Sequence, residues 1–357
     1  MKILMTGLTA KHAGRYSAGT LRYCTAAPIN ADALRAMGHE VDWRFVTPGE
    51  DTTGYDVLWI NIQPANSLAA RVEAAPGALW CLAQRQPTVI WTDDWAVSAL
   101  WPGFRLVGKR LEQQCNKIPD GKYWYLMEPC KIAPYYDQMS QAMLDFSNLW
   151  TAERPWIMAS PMFQWGNRDL FFHKGICVPR DRWLSVDPSS AMLSDPVFAY
   201  RHNRERSRAW AIATLINHQK WLDRNNFTWP VKIYSSNRPW RRTGKATMLR
   251  GDDKVMDAYA QNQGALAPPY YHAGSGWWRA RYPMLAQAGV VTYCEPDDGR
   301  VIGDPYVNKL SDLETMSDAC LEVVAASQGY CLRSQFATLA EYHQQLTDVL
   351  ELACQKG

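Results

Sequence analysis

The sequence lacks long apolar runs and a strong charge of one sign. It has 357 residues and a formal net charge of +3 at pH 7. A membrane-spanning helix needs about 20 consecutive apolar residues, and no stretch of the chain approaches that length, so we expect no membrane partner. The small net charge excludes a protein that holds nucleic acid by its overall charge, although a local basic face is compatible with it.

Closely spaced cysteines are also missing. The nine cysteines are scattered, their number is odd, and no Cys-x-x-Cys pair occurs. This pattern predicts neither a disulfide framework nor a zinc site, and a reducing cytoplasm is the expected compartment. The glycines that follow the first predicted strand do not have the G-x-G-x-x-G spacing, so we predict no nicotinamide site.

Tryptophan and tyrosine are abundant instead, with seventeen of each. Their flat side chains are suited to stacking on sugars and bases, and core packing of most of them is the alternative. In the N-terminal part, short apolar segments alternate with amphipathic ones, which predicts a parallel α/β sheet. The predicted strands are 2–8, 41–46, 55–61 and 88–91, and the predicted helices are about 30–37 and 66–84.

Two adjacent aspartates, Asp93 and Asp94, follow the predicted strand 88–91. Ligands of open parallel sheets bind beyond the carboxyl ends of strands, so both are candidates for a general base. A helix N-cap is the other common role of aspartate at such a position, and it stays open.

The stretch 95–136 is predicted to be irregular and interleaves basic with aromatic residues. That mixture is typical of a nucleic-acid groove, while a solvated and partly packed loop is the alternative. The candidate DNA-binding residues are Trp95, Trp101, Arg105, Lys109 and Arg110.

The stretch 264–298 is predicted as strand, loop, short helix and strand. Its loop carries Ser275 and Gly276, whose backbone N–H groups can approach an anion at the positive end of the helix dipole. Arg279 and Arg281 add fork-shaped donors that match a phosphate. The pattern indicates a diphosphate cradle, with a surface loop and a solvated arginine pair as the alternative.

A second anion site is predicted where an apparent strand, 196–200, leads into an arginine-rich turn and a helix to about Leu222. Its candidate donors are Arg201, Arg204 and Arg206. The preceding stretch, 164–195, is predicted to be rich in loops and to contain the crossing between two domains.

The order and spacing of short fragments over nearly the whole chain resemble the phage DNA β-glucosyltransferases, which transfer glucose from UDP-glucose to 5-hydroxymethylcytosine in duplex DNA. The fragments are Met1-Lys2-Ile3, Met37-Gly38 before Val41-Asp42, Thr92-Asp93 with Trp101-Pro102 downstream, and Tyr306-Val307-Asn308. The resemblance implies two Rossmann-like domains facing a central cleft, the GT-B glycosyltransferase fold. The implied boundaries are 1–180 for the DNA-binding domain, 181–333 for the nucleotide-sugar domain and 334–357 for a helix that crosses back to the first domain.

The resemblance also implies roles for single residues. Asp93 falls on the family's general base, which takes the proton of the hydroxymethyl group while its oxygen attacks the sugar and inverts the anomeric centre. Arg201, together with Arg204 or Arg206, matches arginines that hold the donor diphosphate. In the later helix the family uses one arginine, and here Ala280 stands in its place between Arg279 and Arg281. In the family the target base is flipped out of the duplex. DNA phosphates would then contact Arg105, Lys109 and Arg110, and Trp95 or Trp101 would stack on the bases at the flipping site.

Two departures from the family concern the donor. Pro283 stands where the family has a ribose-binding glutamate, and no acid lies near Thr25 and Ala26 to bind glucose. The expected donor is therefore UDP-glucose or another UDP-sugar such as UDP-arabinose, and no motif requires Mg²⁺ or Mn²⁺. We expect a phage-encoded monomer that meets double-stranded DNA in the host cytoplasm. The alternatives are the same fold with a non-DNA acceptor and a non-catalytic DNA-binding scaffold.

Overall fold

The structure is a computed structural model. It describes residues 1–7, 26–47, 49–61, 80–81, 84, 86–91, 98–102, 122–126, 156–160, 170–173, 176–200, 205–213, 222, 227–234, 246–249, 252–267, 281–294 and 310–356. These residues form two compact units. The first holds the described residues up to Val186 and the C-terminal helix from Ala340, and the second holds those from Asp187 to Leu339.

The first unit is built on a six-stranded sheet in which all neighbours are parallel. Its elements are β1 (Lys2–Gly7), α1 (Ala27–Ala36), β2 (Glu40–Trp43), β3 (Val57–Asn61), β4 (Thr88–Trp91), β5 (Ser98–Pro102), β6 (Lys122–Leu126), β7 (Trp156–Ser160), β8 (Leu170–His173), β9 (Ile176–Pro179), a 3₁₀-helix (Arg180–Arg182) and β10 (Trp183–Ser185). The sheet order is β10-β7-β4-β3-β1-β2. Every residue of β3 and β4 is buried, as expected for strands covered on both faces.

The strands stay parallel, but the order in which the chain adds them to the sheet changes direction between β1 and β3. β2 pairs with one side of β1, and β3 pairs with the other. In such sheets the crevice beyond the carboxyl ends of the two central strands is the usual ligand site. Those ends are Gly7 and Asn61, which face each other in the pairing. Gly7 has φ of 105°, and a Cβ there would lie 2.2 Å from the backbone oxygen of Asn61, so only glycine fits.

Two stretches predicted as irregular contain strands. Within 95–136, β5 and β6 pair antiparallel, with Trp101 opposite Tyr123. Within 164–195, β8 and β9 pair antiparallel and β10 joins the main sheet. Strands of three to five residues carry too little periodicity to stand out among prolines and charged residues, although β6 is rich in strand-forming aromatics.

The second unit has a five-stranded parallel sheet in the order β13-β12-β11-β14-β15. Its elements are α2 (Ser189–Leu193), a 3₁₀-helix (Pro196–Phe198), β11 (Ser207–Ala213), β12 (Val231–Tyr234), β13 (Ala246–Thr247), α3 (Asp252–Ala260), β14 (Asn262–Ala267), α4 (Arg281–Ala288), β15 (Val291–Cys294), α5 (Leu310–Thr315) and α6 (Asp318–Arg333). This is the Rossmann order, and the change of direction falls between β11 and β14.

The prediction of a strand over 196–200 and a helix to about Leu222 was wrong. Residues 196–198 form a 3₁₀-helix, and the strand is β11, further along the chain. The alanine-rich segment of β11 has the composition of a helix. Its burial from Ala209 to Ile212 between two neighbouring strands overrides that local preference. Trp210 is fully buried there and stacks on Trp229, with ring centroids 5.3 Å apart.

The C-terminal helix α7 (Leu339–Lys356) packs in the first unit through one apolar face that includes Leu346 and Leu350. Within that face the Tyr342 hydroxyl donates to Asn30 Oδ1 of α1 at 2.7 Å. Lys356 pairs with Asp181 at 2.5 Å. No helix in the described part of the chain is long and apolar enough to cross a membrane.

Candidate functional site

The strand and helix that flank the candidate anion loop in the sequence are β14 and α4, and β14 lies at the direction change of the second sheet. β14 ends at Ala267, α4 begins at Arg281, and the intervening residues include Ser275, Gly276 and Arg279. These intervening residues and the Arg281 side chain lie outside the described part. The flanking elements show that the loop connects the carboxyl end of a central strand to a helix N-terminus. Both features favour anion binding.

Two arginines hold the opposite end of α4. Arg206 donates from its two Nη atoms to the carbonyl oxygens of Gly289 at 2.6 Å and Ala288 at 3.0 Å. Arg333 of α6 donates to the carbonyl oxygen of Ala286 at 2.8 Å. Burial lowers the pKa of the Arg206 guanidinium, which still stays charged at neutral pH. The last carbonyls of α4 are therefore satisfied by positive groups, which complement the helix dipole.

The structure places Arg206 directly before β11, at the amino edge of the second sheet. The proposed phosphate role of the arginine-rich turn rested on a preceding strand, and the turn leads into a strand instead. The strand's carboxyl end is Ala213, at the other edge. Arg201 and Arg204 lie outside the described residues, and the donor-binding role of all three arginines stays a prediction.

In the first sheet, the candidate general bases follow β4, whose last residue Trp91 pairs with Asn61. Asp93 and Asp94 come two and three residues later and lie outside the described part. The strand that precedes them thus ends beside the direction change between β1 and β3. This edge is where ligands of such sheets bind.

Asn61 is a buried polar residue at this edge that the sequence analysis missed. Its side chain is fully buried, and among the described residues Nδ2 contacts only the Thr6 carbonyl oxygen, at a long 3.4 Å. Oδ1 has no hydrogen-bond partner among the residues that the structure describes. The signal in the sequence was a single amide at the end of the apolar run Val57–Asn61.

The remaining candidates are only partly described. Trp101 lies on β5, where the backbone alone is described, and Trp95, Arg105, Lys109, Arg110 and Ala280 lie outside the described residues, as does Thr25. Pro283 is buried in the first turn of α4, where its missing N–H costs no helical bond, and Ala26 is buried at the start of α1. Where the structure is described, no three His, Cys, Asp or Glu side chains form a metal-binding group.

Solved structures with a similar fold include β-glucosyltransferase from T4 phage. A mutant of this enzyme in complex with UDP-glucose has a TM-score of 0.60 and 11% identity, covering 98% of this chain and 100% of that one. The same enzyme with UDP and Mn²⁺ gives 0.58 and 11%, with the same coverage. A structure described as the DNA-modifying enzyme β-glucosyltransferase gives 0.57 and 9%, covering 99% of each chain.

Comparisons with protein-family models and with curated proteins gave no match. At about one identical residue in ten, the structural likeness shows the fold alone. The chain therefore has an α/β fold with parallel sheets, shared over nearly its full length with a phage glycosyltransferase.

Proposed function

We propose that this protein is an inverting glycosyltransferase that moves a sugar from a UDP-sugar to the hydroxymethyl group of a modified pyrimidine, 5-hydroxymethylcytosine, in double-stranded phage DNA. The observation that supports the proposal is the position of β14 and α4, the strand and helix that flank the Gly-Ser-Gly loop in the sequence. The loop connects a central strand to a helix N-terminus in a chain that shares its fold with a UDP-glucose-binding enzyme. On this proposal the protein is a monomer of two Rossmann-like domains facing a cleft, and it acts in the host cytoplasm.

The donor diphosphate binds at the start of α4. The backbone N–H groups of Ser275 and Gly276 and the guanidinium groups of Arg279 and Arg281 contact its oxygens, and the helix dipole adds to their attraction. Arg201 and Arg204, from the second unit's other arginine-rich segment, stay candidate ligands of the diphosphate, whereas Arg206 bonds to the opposite end of α4. Mg²⁺ or Mn²⁺ would neutralise charge on the departing diphosphate, and the T4 enzyme has been solved in complex with UDP and Mn²⁺.

The reaction is a single displacement. Asp93 accepts the proton of the hydroxymethyl group as its oxygen bonds to the anomeric carbon, while the bond from that carbon to the diphosphate oxygen breaks and UDP leaves. Inversion follows because attack and departure occur on opposite faces of one carbon. DNA phosphates bind Arg105, Lys109 and Arg110, and Trp95 or Trp101 stacks where the flipped base leaves the duplex.

Mass spectrometry of nucleosides tests this proposal. Hydroxymethylated duplexes are incubated with the protein and a panel of UDP-sugars, including UDP-glucose and UDP-arabinose. We expect a mass gain of one sugar on 5-hydroxymethylcytosine, at least about a thousandfold less with Asp93→Asn, and a much smaller loss with the matched variant Asp94→Asn. UDP-sugar binding without transfer to any base would favour the non-DNA acceptor, and DNA binding without donor binding would favour the non-catalytic scaffold.

A further inference from the structure

The further inference concerns the acceptor side and starts from the unsatisfied oxygen of Asn61. Nearly all buried polar atoms in proteins have a hydrogen-bond partner, so each exception needs an explanation. Other such atoms in the described ranges include Asn30 Nδ2, Gln263 Oε1 and the indole nitrogens of Trp59 and Trp210. They belong to residues inside helices or strands, whereas Asn61 is the last residue of β3, at the ligand edge of the sheet.

The orientation of the Asn61 amide follows from its neighbour. The Thr6 carbonyl oxygen can only accept a hydrogen bond, so Nδ2 must be the group that faces it. Oδ1 is therefore the group left for another partner, and it can only accept. A ligand that satisfies it must offer an N–H or O–H donor.

Under the proposed function, the ligand at this edge is a pyrimidine base flipped from DNA. Enzymes that bind flipped bases contact the Watson–Crick edge with hydrogen bonds. Cytosine carries an amino group at position 4, which donates, whereas uracil carries a carbonyl oxygen there, which accepts and would meet Oδ1 unfavourably.

We propose that Asn61 is the base-recognition residue of the acceptor site, and that its Oδ1 accepts a hydrogen bond from the 4-amino group of 5-hydroxymethylcytosine. This inference rests on the proposed function and adds the residue and the basis of base selection. Asn61 lies on the strand next to β4, which leads to Asp93, so recognition and proton removal take place at neighbouring strand ends. Because Oδ1 is buried, its contact with a base requires the side chains that cover it to move.

The test compares two acceptors with one donor. The values of kcat/KM are measured on duplexes that contain either 5-hydroxymethylcytosine or 5-hydroxymethyluracil, for the unmodified protein, Asn61→Leu and Asn262→Leu. Leucine has the same number and branching of side-chain heavy atoms as asparagine, and Asn262 is a fully buried amide of the other sheet. The ratio of the two kcat/KM values does not depend on how much protein is folded, so it separates recognition from stability.

We expect the unmodified protein to prefer hydroxymethylcytosine at least tenfold. Asn61→Leu should lower kcat/KM on hydroxymethylcytosine about ten- to a hundredfold, change the hydroxymethyluracil value by less than about threefold, and leave UDP affinity unchanged. Asn262→Leu should leave the ratio unchanged.

Three results would overturn the inference: a preference for hydroxymethyluracil, an equal loss on both bases, or no effect of Asn61→Leu. Each of them leaves the proposed glycosyltransferase activity intact, because transfer is still seen, although a preference for hydroxymethyluracil would change the proposed acceptor base. Absence of transfer to either base by the unmodified protein would remove the proposed function, and the inference with it.

Discussion

Asn61 in the first sheet and Asn262 in the second are both fully buried, and each stands at an end of a parallel strand. Asn262 begins β14, at the amino edge, and its amide is saturated. Its Oδ1 accepts from Ser207 Oγ at 2.8 Å, and its Nδ2 donates to the Ala258 carbonyl oxygen at 2.6 Å and the Tyr234 hydroxyl at 3.2 Å. Asn61 ends β3, at the carboxyl edge, and within the described ranges its amide has only the long contact to Thr6.

The difference separates an amide whose hydrogen bonds stabilise the fold from an amide whose oxygen can accept a hydrogen bond from a ligand. A buried amide with all its bonds made ties together the elements that it contacts, here β11, α3 and β12. A buried amide with an unmet oxygen costs stability, because its desolvation is not offset. Such a residue at the ligand edge is expected where substrate binding supplies the missing donor. The following predictions test this interpretation of Asn61.

The largest effect is expected at the glycine beside Asn61. Gly7→Ala places a methyl group 2.2 Å from the Asn61 backbone oxygen at a positive φ, and it should cost about 4 kcal/mol, because neither the sheet backbone nor φ can adjust cheaply. Gly38 also has a positive φ, 87°, but open space around it, so Gly38→Ala should cost only about 1 kcal/mol.

Hydrogen exchange of the β1 and β3 amides, followed by mass spectrometry, measures the cost of the glycine substitutions locally. Equal protection in the two variants would show that β1 and β3 separate easily at that point. The close approach that brings Gly7 to Asn61 would then not constrain the ligand edge.

The comparison of the two asparagines comes next. Asn262→Leu leaves three polar groups without their partner and should lower the free energy of opening of β11 and β14 by about 3 kcal/mol. Asn61→Leu removes one weak contact and one unmet oxygen, so the free energy of opening of β3 should change by less than about 1 kcal/mol. Hydrogen exchange in the two sheets checks both values, and a large loss at Asn61 would mean that its amide serves the fold after all.

The arginines around β11 offer a third contrast. Arg206→Met removes two charge-assisted bonds to the end of α4 and should destabilise that helix by about 2 kcal/mol. Arg208, two residues later, is largely exposed and pairs with the exposed Asp318, so Arg208→Met should cost less than about 0.5 kcal/mol. If α4 presents its N-terminus to the donor, UDP affinity measured by calorimetry should fall with the first variant and not with the second.

Much of the fold could be predicted from the sequence. β4 was predicted with its observed bounds, and β1 and β3 within two residues, because buried parallel strands leave continuous apolar runs. β11 was missed because alanine-rich segments favour helices until neighbouring strands bury them. This one error also misplaced the arginine-rich turn relative to the sheet, since a strand's two ends differ in what they bind.

The candidate site was less predictable than the fold. Aspartates and a glycine loop after strands are local patterns, and the observed sheet order brings their flanking strand ends to ligand edges. The contacts of Asn61, Arg206 and Arg333 join residues that are 55, 82 to 83 and 47 positions apart. No local pattern encodes such pairings. Only the folded chain therefore distinguishes an amide with an unsatisfied oxygen from one that is fully hydrogen-bonded.

The smallest predicted effect concerns how α7 is held in the first unit, where a neutral contact and an ionic one can be compared. The hydrogen bond from Lys356 lowers the pKa of Asp181. A carboxylate whose pKa is lowered by folding adds stability above its unfolded pKa of about 3.9, and this stability is lost as the pH falls through the folded pKa. Both partners are partly exposed, so the contribution should be under about 1 kcal/mol. Hydrogen exchange at the end of α7 should therefore rise in acid relative to that around Tyr342, whose bond to Asn30 is neutral. Asp181→Asn should abolish the difference, and an acid response that persists in this variant would assign it to another group.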